Sequence, residues 1–338
     1  MSSLPLLPDS GQRLVGIARL AAHGESVRQG HDVEYFTLPV RSLLNRCVSN
    51  REMPFTWTIN PYRGCEFACK YCYARYTHEF MELRNSLDFE RKIYVKQHAA
   101  WLLRQEIRKV KPGESIAIGT ATDPYQPAER KFGITRAILE ELAQHKGLEL
   151  GLVTKGTLIL RDLALLQMLA RNNKLSICIT VTTMNTDLAR ILEPRAPRPD
   201  LRMKVVRQLN EAGIRAGVNC APILPGITDH PADLETLVTA ASQAGAAFVF
   251  TNSLFLKPCA LKVFLPFVEQ KFPHLLSLYR QRYSQHAYLP AHYSNRVSAL
   301  IKKYCEKHSI RGERRLERTV SRLPSRKEEI ANQLELFS

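Results

Sequence analysis

Asn60-Pro61-Tyr62-Arg63-Gly64-Cys65-Glu66-Phe67-Ala68-Cys69-Lys70-Tyr71-Cys72-Tyr73 sets three cysteines in a C-x3-C-x2-C array. Thiolates this close on one loop can each ligate a different iron of one cubic cluster. A [4Fe–4S] cube held by Cys65, Cys69 and Cys72 keeps one iron open to a small molecule, as a three-ligand zinc site keeps a position for substrate. A zinc site ordinarily adds a fourth Cys or His at paired spacing. No His separates these cysteines, and His78 comes only after the third of them. A non-catalytic nucleic-acid adaptor with zinc in this loop is the lesser reading. A disulfide framework fits worse still in a chain without a secretion signal.

Outward from the array, the chain has a rhythm. Phe55 to Ile59 alternates as a strand does, and Asn60-Pro61 breaks it. A helix is expected to begin within the cysteine loop and run toward Leu83. Residues 91–111 read as a basic helix around Ala99, Leu102, Leu103 and Ile107. Strands follow at 115–119, 148–153, 175–181, 214–220 and 246–250, with helix-spaced apolar residues between them. Gly147, Gly213 and Gly245 each close a helix just before a strand, where a left-handed cap is wanted. Six strands joined by right-handed crossovers roll into a barrel or an open fraction of one. A flat doubly wound sheet satisfies the same periodicity.

The cysteine spacing, with the aromatic Tyr71 before the third Cys, resembles the signature of the radical S-adenosylmethionine (SAM) superfamily. The resemblance implies a partial (β/α)6 TIM-like barrel over residues 52–256. Residues 1–51 are then an N-terminal extension and 257–338 a helical, basic C-terminal region. It also implies a [4Fe–4S] cluster on Cys65, Cys69 and Cys72, whose open iron chelates SAM. Reductive cleavage of SAM then gives a 5′-deoxyadenosyl radical that abstracts hydrogen from a substrate, with an electron donor such as flavodoxin or ferredoxin. The run from Gly119 to Glu129 (Gly-Thr-Ala-Thr-Asp-Pro-Tyr-Gln-Pro-Ala-Glu) is similar to the spore photoproduct lyase-like group. That likeness implies a lyase-like enzyme with DNA or RNA among its candidate partners. Thr122 and Asp123 stand where many members meet the SAM amino group, and Lys155 is expected at the SAM carboxylate. Thr180 is expected near the ribose or methionine. Tyr71 and Tyr73 would flank adenine beside the Pro222–Asp229 run. A cysteine that returns hydrogen to product in spore photoproduct lyase is replaced here by Thr120. Cys259 or a C-terminal Tyr then become the alternative donors.

Composition bounds the rest. Of 338 residues, 45% are hydrophobic, enough for a large core. The 48 basic and 32 acidic residues leave a net charge of +16, which favours polyanionic partners. No apolar run is long enough for a membrane span, and eight unevenly spaced cysteines suit a reducing, cytoplasmic setting. Cys178 and Cys220 read as core residues, as do Tyr279, Tyr283, Tyr288 and Tyr293. The basic run from Arg311 to Lys327 reads as a polybasic arm or a docked helix.

Overall fold

The computed structural model describes residues 14–30, 32–47 and 54–310. Among these the strands are β1 (Ser26–Gly30), β2 (Val33–Leu38), β3 (Leu44–Arg46), β4 (Trp57–Ile59), β5 (Tyr62–Arg63), β6 (Lys92–Lys96), β7 (Ser115–Ile118), β8 (Glu149–Thr154), β9 (Lys174–Thr180), β10 (Ala216–Ile223) and β11 (Val249–Ser253). The larger sheet runs β11-β10-β9-β8-β7-β4-β3. Its strands from β11 to β4 are all parallel, with β3 antiparallel on the edge. The six parallel strands are those expected from the sequence. No hydrogen bonds join β11 to β3 or β4, so the (β/α)6 barrel is partial.

The strands are short and apolar because both faces are covered. Ile116, Ile118, Leu152, Ile177, Ile179 and Val218 are buried on them. The helices Ile134–Leu142, Leu163–Asn172, Pro199–Glu211 and Pro231–Gln243 alternate with the strands and share that core through Ile138, Leu166, Leu209 and Leu237. Gly213 and Gly245 end two of them at φ +78° and +68°. The next residue's N–H then turns back to the last helical turn, from Ile214 to Leu209 and from Ala246 to Ala241, each at 2.9 Å. Each strand is thus entered from the same side, and six strand C-termini open on one mouth.

Two departures from the sequence reading matter. Residues 91–111 are not one helix: β6 comes first, then the helix Ala99–Glu106 and a 3-10 turn. Ile93, Tyr94 and Val95 are buried in a second sheet, ordered β1-β2-β6-β5, and His98 at φ +54° breaks the chain before the helix. The helix after the cysteines is also shorter than expected, a 3-10 turn and then Tyr76–Glu79. The N-terminal segment is hydrogen-bonded into the core, with β2 parallel to β6 and β3 against β4. Of the C-terminal helices, Ala291–Lys307 packs beside β11 and the helix Pro231–Gln243, while Pro258–Lys271 packs on Leu276–Tyr283 and on the turn after the cysteines. No helix among the described residues is long and apolar enough to cross a membrane. The basic run from Arg311 lies outside the described residues.

Candidate active site

The cysteine loop leaves β4 through Asn60 and Pro61 and turns at Gly64, where φ is +85° and a Cβ would lie 2.7 Å from the Lys92 carbonyl oxygen. Its backbone is held at both ends, by Cys65 N–H to Phe89 O at 2.8 Å and Lys70 N–H to Leu192 O at 2.9 Å. The exit of β7 clamps it. Thr122 donates its hydroxyl to Gly64 O at 2.6 Å, and Gln126 donates to the same oxygen at 3.2 Å while accepting from Glu66 N–H at 2.9 Å. Arg75, ion-paired with Glu90 at 2.6 Å, donates to Cys69 O at 3.1 Å.

The three thiols are free, Cys65 and Cys69 buried and Cys72 partly so. Burial pushes all three upward, Cys69 to about 12, although Lys155 and Arg202 draw Cys69 back and Arg75 and Lys155 draw Cys72 back. A buried thiol loses its proton readily only when a cation replaces it, so this donor set suits a metal centre. Among the described residues no three His, Cys, Asp or Glu side chains converge as one metal ion requires. A cube spreads its thiolates over separate irons.

Beside the cysteines lies a buried charged network. Glu193 follows the helix Thr186–Leu192, and Arg202 sits on the helix Pro199–Glu211. Arg202 Nη2 meets Glu193 Oε2 at 2.5 Å. Its Nε and Nη1 donate to Pro197 O at 2.6 Å and Thr180 O at 3.1 Å. Glu193 Oε1 accepts from Thr182 at 2.9 Å and from the Tyr71 hydroxyl. Lys155 Nζ stands 3.9 Å from Glu193 Oε1 and 5.7 Å from the Tyr71 ring centroid. Burial alone would raise Glu193, but Arg202 and Lys155 outweigh it and hold the carboxyl below its ordinary value. Burial likewise opposes the Lys155 ammonium, and the Cys69 and Glu193 side chains more than restore it.

The other expected residues gather at the same mouth, but several are engaged within the protein. Asp123 accepts from Thr154 Oγ1 at 2.5 Å, Lys155 N–H at 2.7 Å and Tyr125 N–H at 2.9 Å, so it braces the Lys155 turn. Thr122 is committed to the cysteine loop. Thr120 accepts from Asn60 Nδ2 at 3.2 Å, and its carbonyl accepts from the Tyr73 hydroxyl. Thr180 accepts from Asn219 Nδ2 at 3.2 Å, while Asn219 Oδ1 is buried with no hydrogen-bond partner. Tyr73 lies 4.7 Å from Phe255, which stacks on Tyr288 at 5.2 Å. Tyr279, Tyr283 and Tyr293 are core residues as expected, whereas Tyr288 is 40% exposed. Cys178 and Cys220 lie in β9 and β10, and Cys259 is buried at a helix start. Glu193, Arg202, Asn60 and Asn219 had no assigned role in the sequence reading. No sequence signal pairs the first two, because a proline-rich turn separates them.

The model of the Radical SAM superfamily matches residues 59–238. An uncharacterised protein of Mycobacterium tuberculosis is 34% identical over 301 residues, spanning 87% of this chain and 86% of its own. One of Methanocaldococcus jannaschii is 29% identical over 220 residues, spanning 64% of this chain and 76% of its own. Among solved structures, spore photoproduct lyase complexed with dinucleoside spore photoproduct superposes with a TM-score of 0.62 at 16% identity, over 81% of this chain and 79% of that one. A mutant of the same lyase with bound AdoMet and the dinucleoside superposes at 0.61, also at 16% identity and the same coverage. At that identity the likeness is one of fold.

Proposed function

The chain belongs to the radical SAM superfamily, and from that premise we propose that this enzyme holds a [4Fe–4S] cluster on Cys65, Cys69 and Cys72 and binds SAM between the cluster loop and Lys155. The observation that carries the reading is the position of the loop: three thiols at a barrel mouth, two buried and Cys72 partly so, with the Lys155 ammonium near enough to act on Cys69. Cluster and SAM together supply a hydrogen-abstracting 5′-deoxyadenosyl radical when bound.

The chain's own residues bind and orient. Lys155 meets the SAM carboxylate with a charge-assisted bond. Asp123 fixes the backbone from which Lys155 projects, and Thr122 fixes the loop that bears the cysteines. Tyr71 walls the site from Glu193, and Tyr73 from the Thr120 carbonyl. Asn219 Oδ1, beside Thr180, offers an open acceptor to a ribose hydroxyl. An external donor such as flavodoxin or ferredoxin supplies the electron. The substrate is a nucleic acid or another polyanion, in keeping with the basic excess. The reading is of a substrate other than spore photoproduct: the Thr120 hydroxyl cannot return a hydrogen atom to a carbon radical as a thiol can, and rapid repair of that lesion would send the search for a donor to Cys259 or a C-terminal Tyr.

Anaerobic reconstitution tests this. The native protein should take up about four iron and four sulfide per chain, with a broad visible band. Cys65→Ala, Cys69→Ala or Cys72→Ala should each lose them, and Cys178→Ala should not. Given dinucleoside spore photoproduct, the loaded protein should return no repaired product at a useful rate. Full iron in Cys69→Ala, or stoichiometric zinc without colour in the native protein, overturns the assignment.

A further inference from the structure

Lys155 has an acid within ion-pair range and still no hydrogen bond among the described residues reaches its Nζ. The reason lies one residue further in. Glu193 could neutralise Lys155, but its carboxylate is already taken. Arg202 holds Oε2 at 2.5 Å, while Thr182 and Tyr71 hold Oε1 and leave Lys155 Nζ at 3.9 Å. Two buried carboxylates, Glu193 and Asp123, face the cations Arg202 and Lys155, but Asp123 is taken up by the Thr154 hydroxyl and by the Lys155 and Tyr125 amides. The Arg202 and Glu193 side chains are each only 1% exposed, so solvent ions do not balance them, whereas Lys155 retains 15% exposure at the mouth. Lys155 is thus the cation of this group that has no hydrogen-bonded carboxylate among the described residues.

We propose that Arg202 is a positioning residue that acts through Glu193: by occupying the carboxylate, it keeps the Lys155 ammonium available for a carboxylate ligand. Arg202 suits the task because its other nitrogens are pinned to the carbonyls of Pro197 and Thr180, so the guanidinium cannot swing away. Without it, Glu193 would be a buried charge with one cation in reach, and Lys155 would close on it. The SAM site would then be blocked from within. The inference rests on the proposed SAM role of Lys155, and its test separates the two.

Equilibrium binding of SAM to anaerobically reconstituted protein is measured alongside iron content and melting temperature. Native binding comes first: absence of SAM binding by native, fully loaded protein defeats the SAM-site reading and this inference together. If native protein binds, Arg202→Met should weaken SAM binding roughly tenfold or more, the value of a lost charge-assisted bond, with iron retained. Adding Glu193→Gln to Arg202→Met removes the competing charge and should bring binding back to within about threefold of native. A purely structural role for Arg202 predicts no such recovery. Arg202→Lys keeps the positive charge but loses the bonds that pin the guanidinium to Pro197 and Thr180, so its binding should lie between native protein and Arg202→Met; comparison of Glu193→Gln/Arg202→Met with native protein serves if the Met variant alone does not fold. Unchanged binding in Arg202→Met overturns the proposal while leaving the SAM-site reading intact. Binding equally weak in the single and double variants overturns it in the same way.

Discussion

Lys155 is half of an ion pair that is kept from forming fully. It projects from a turn whose amide is held by Asp123 at 2.7 Å, so the side chain's origin is fixed while its tip keeps some exposure at the mouth. Replacing it by Ala should raise the SAM dissociation constant roughly tenfold or more, a loss of about 1.5–3 kcal/mol, with iron and sulfide unchanged. SAM titration followed by the cluster's EPR signal checks this, and an unaltered constant would move the carboxylate contact elsewhere. Lys155 was readable in the sequence because it directly ends a strand, where a buried cation asks for an anion. Glu193 and Arg202 were not. They are separated by a proline-rich turn and meet only when the helix Pro199–Glu211 folds back on β9. Thr122 and Asp123 lie at the mouth, but their hydrogen bonds run inward to the loop and to the Lys155 turn. Position at a mouth can be inferred from order along the chain, but direction of a side chain cannot.

At the scale of elements, the barrel strands were readable because each is a continuous apolar run closed off by turn residues. The second sheet was not, because β6 is short, flanked by lysines and followed at once by a true helix, so a single amphipathic reading absorbed both. Lys96 shows the consequence. The basic-helix reading of residues 91–111 includes it, but it ends β6 and is buried. Burial, aided by nearby Arg63 and opposed by Glu106, brings its ammonium down from 10.5 to about 7. The unfolded chain therefore binds more protons than the folded one between those values, and stability rises with pH across that window. Below about 7 the full cost of the buried charge is present. Lys96→Met should accordingly be more stable than native protein at neutral pH, by roughly 1–4 kcal/mol, and should lose that part of the pH slope. Denaturant unfolding from pH 6.5 to 9.5 is the check. A destabilised variant with the native slope would show that Lys96 is solvated or paired.

For the whole molecule, the decisive feature is that one parallel sheet delivers its strand ends to one mouth. The cysteine loop comes from β4, its clamp from β7, Lys155 from β8, the Tyr71 partner Thr182 from just beyond β9, and Asn219 from β10. Residues far apart in sequence thereby surround one loop, and the C-terminal helices add Tyr288 to the rim through Phe255. The net charge of +16 belongs to the whole chain and favours polyanionic partners without specifying which. The central claim is that the mouth carries out reductive cleavage of SAM. Its most direct test is to reduce anaerobically reconstituted protein with dithionite, add SAM, and quantify 5′-deoxyadenosine and methionine. Native protein should form the two in equal amounts, while Cys69→Ala forms neither above background. Equal yields from native protein and Cys69→Ala, or no 5′-deoxyadenosine from native protein bearing a full cluster, would contradict the account.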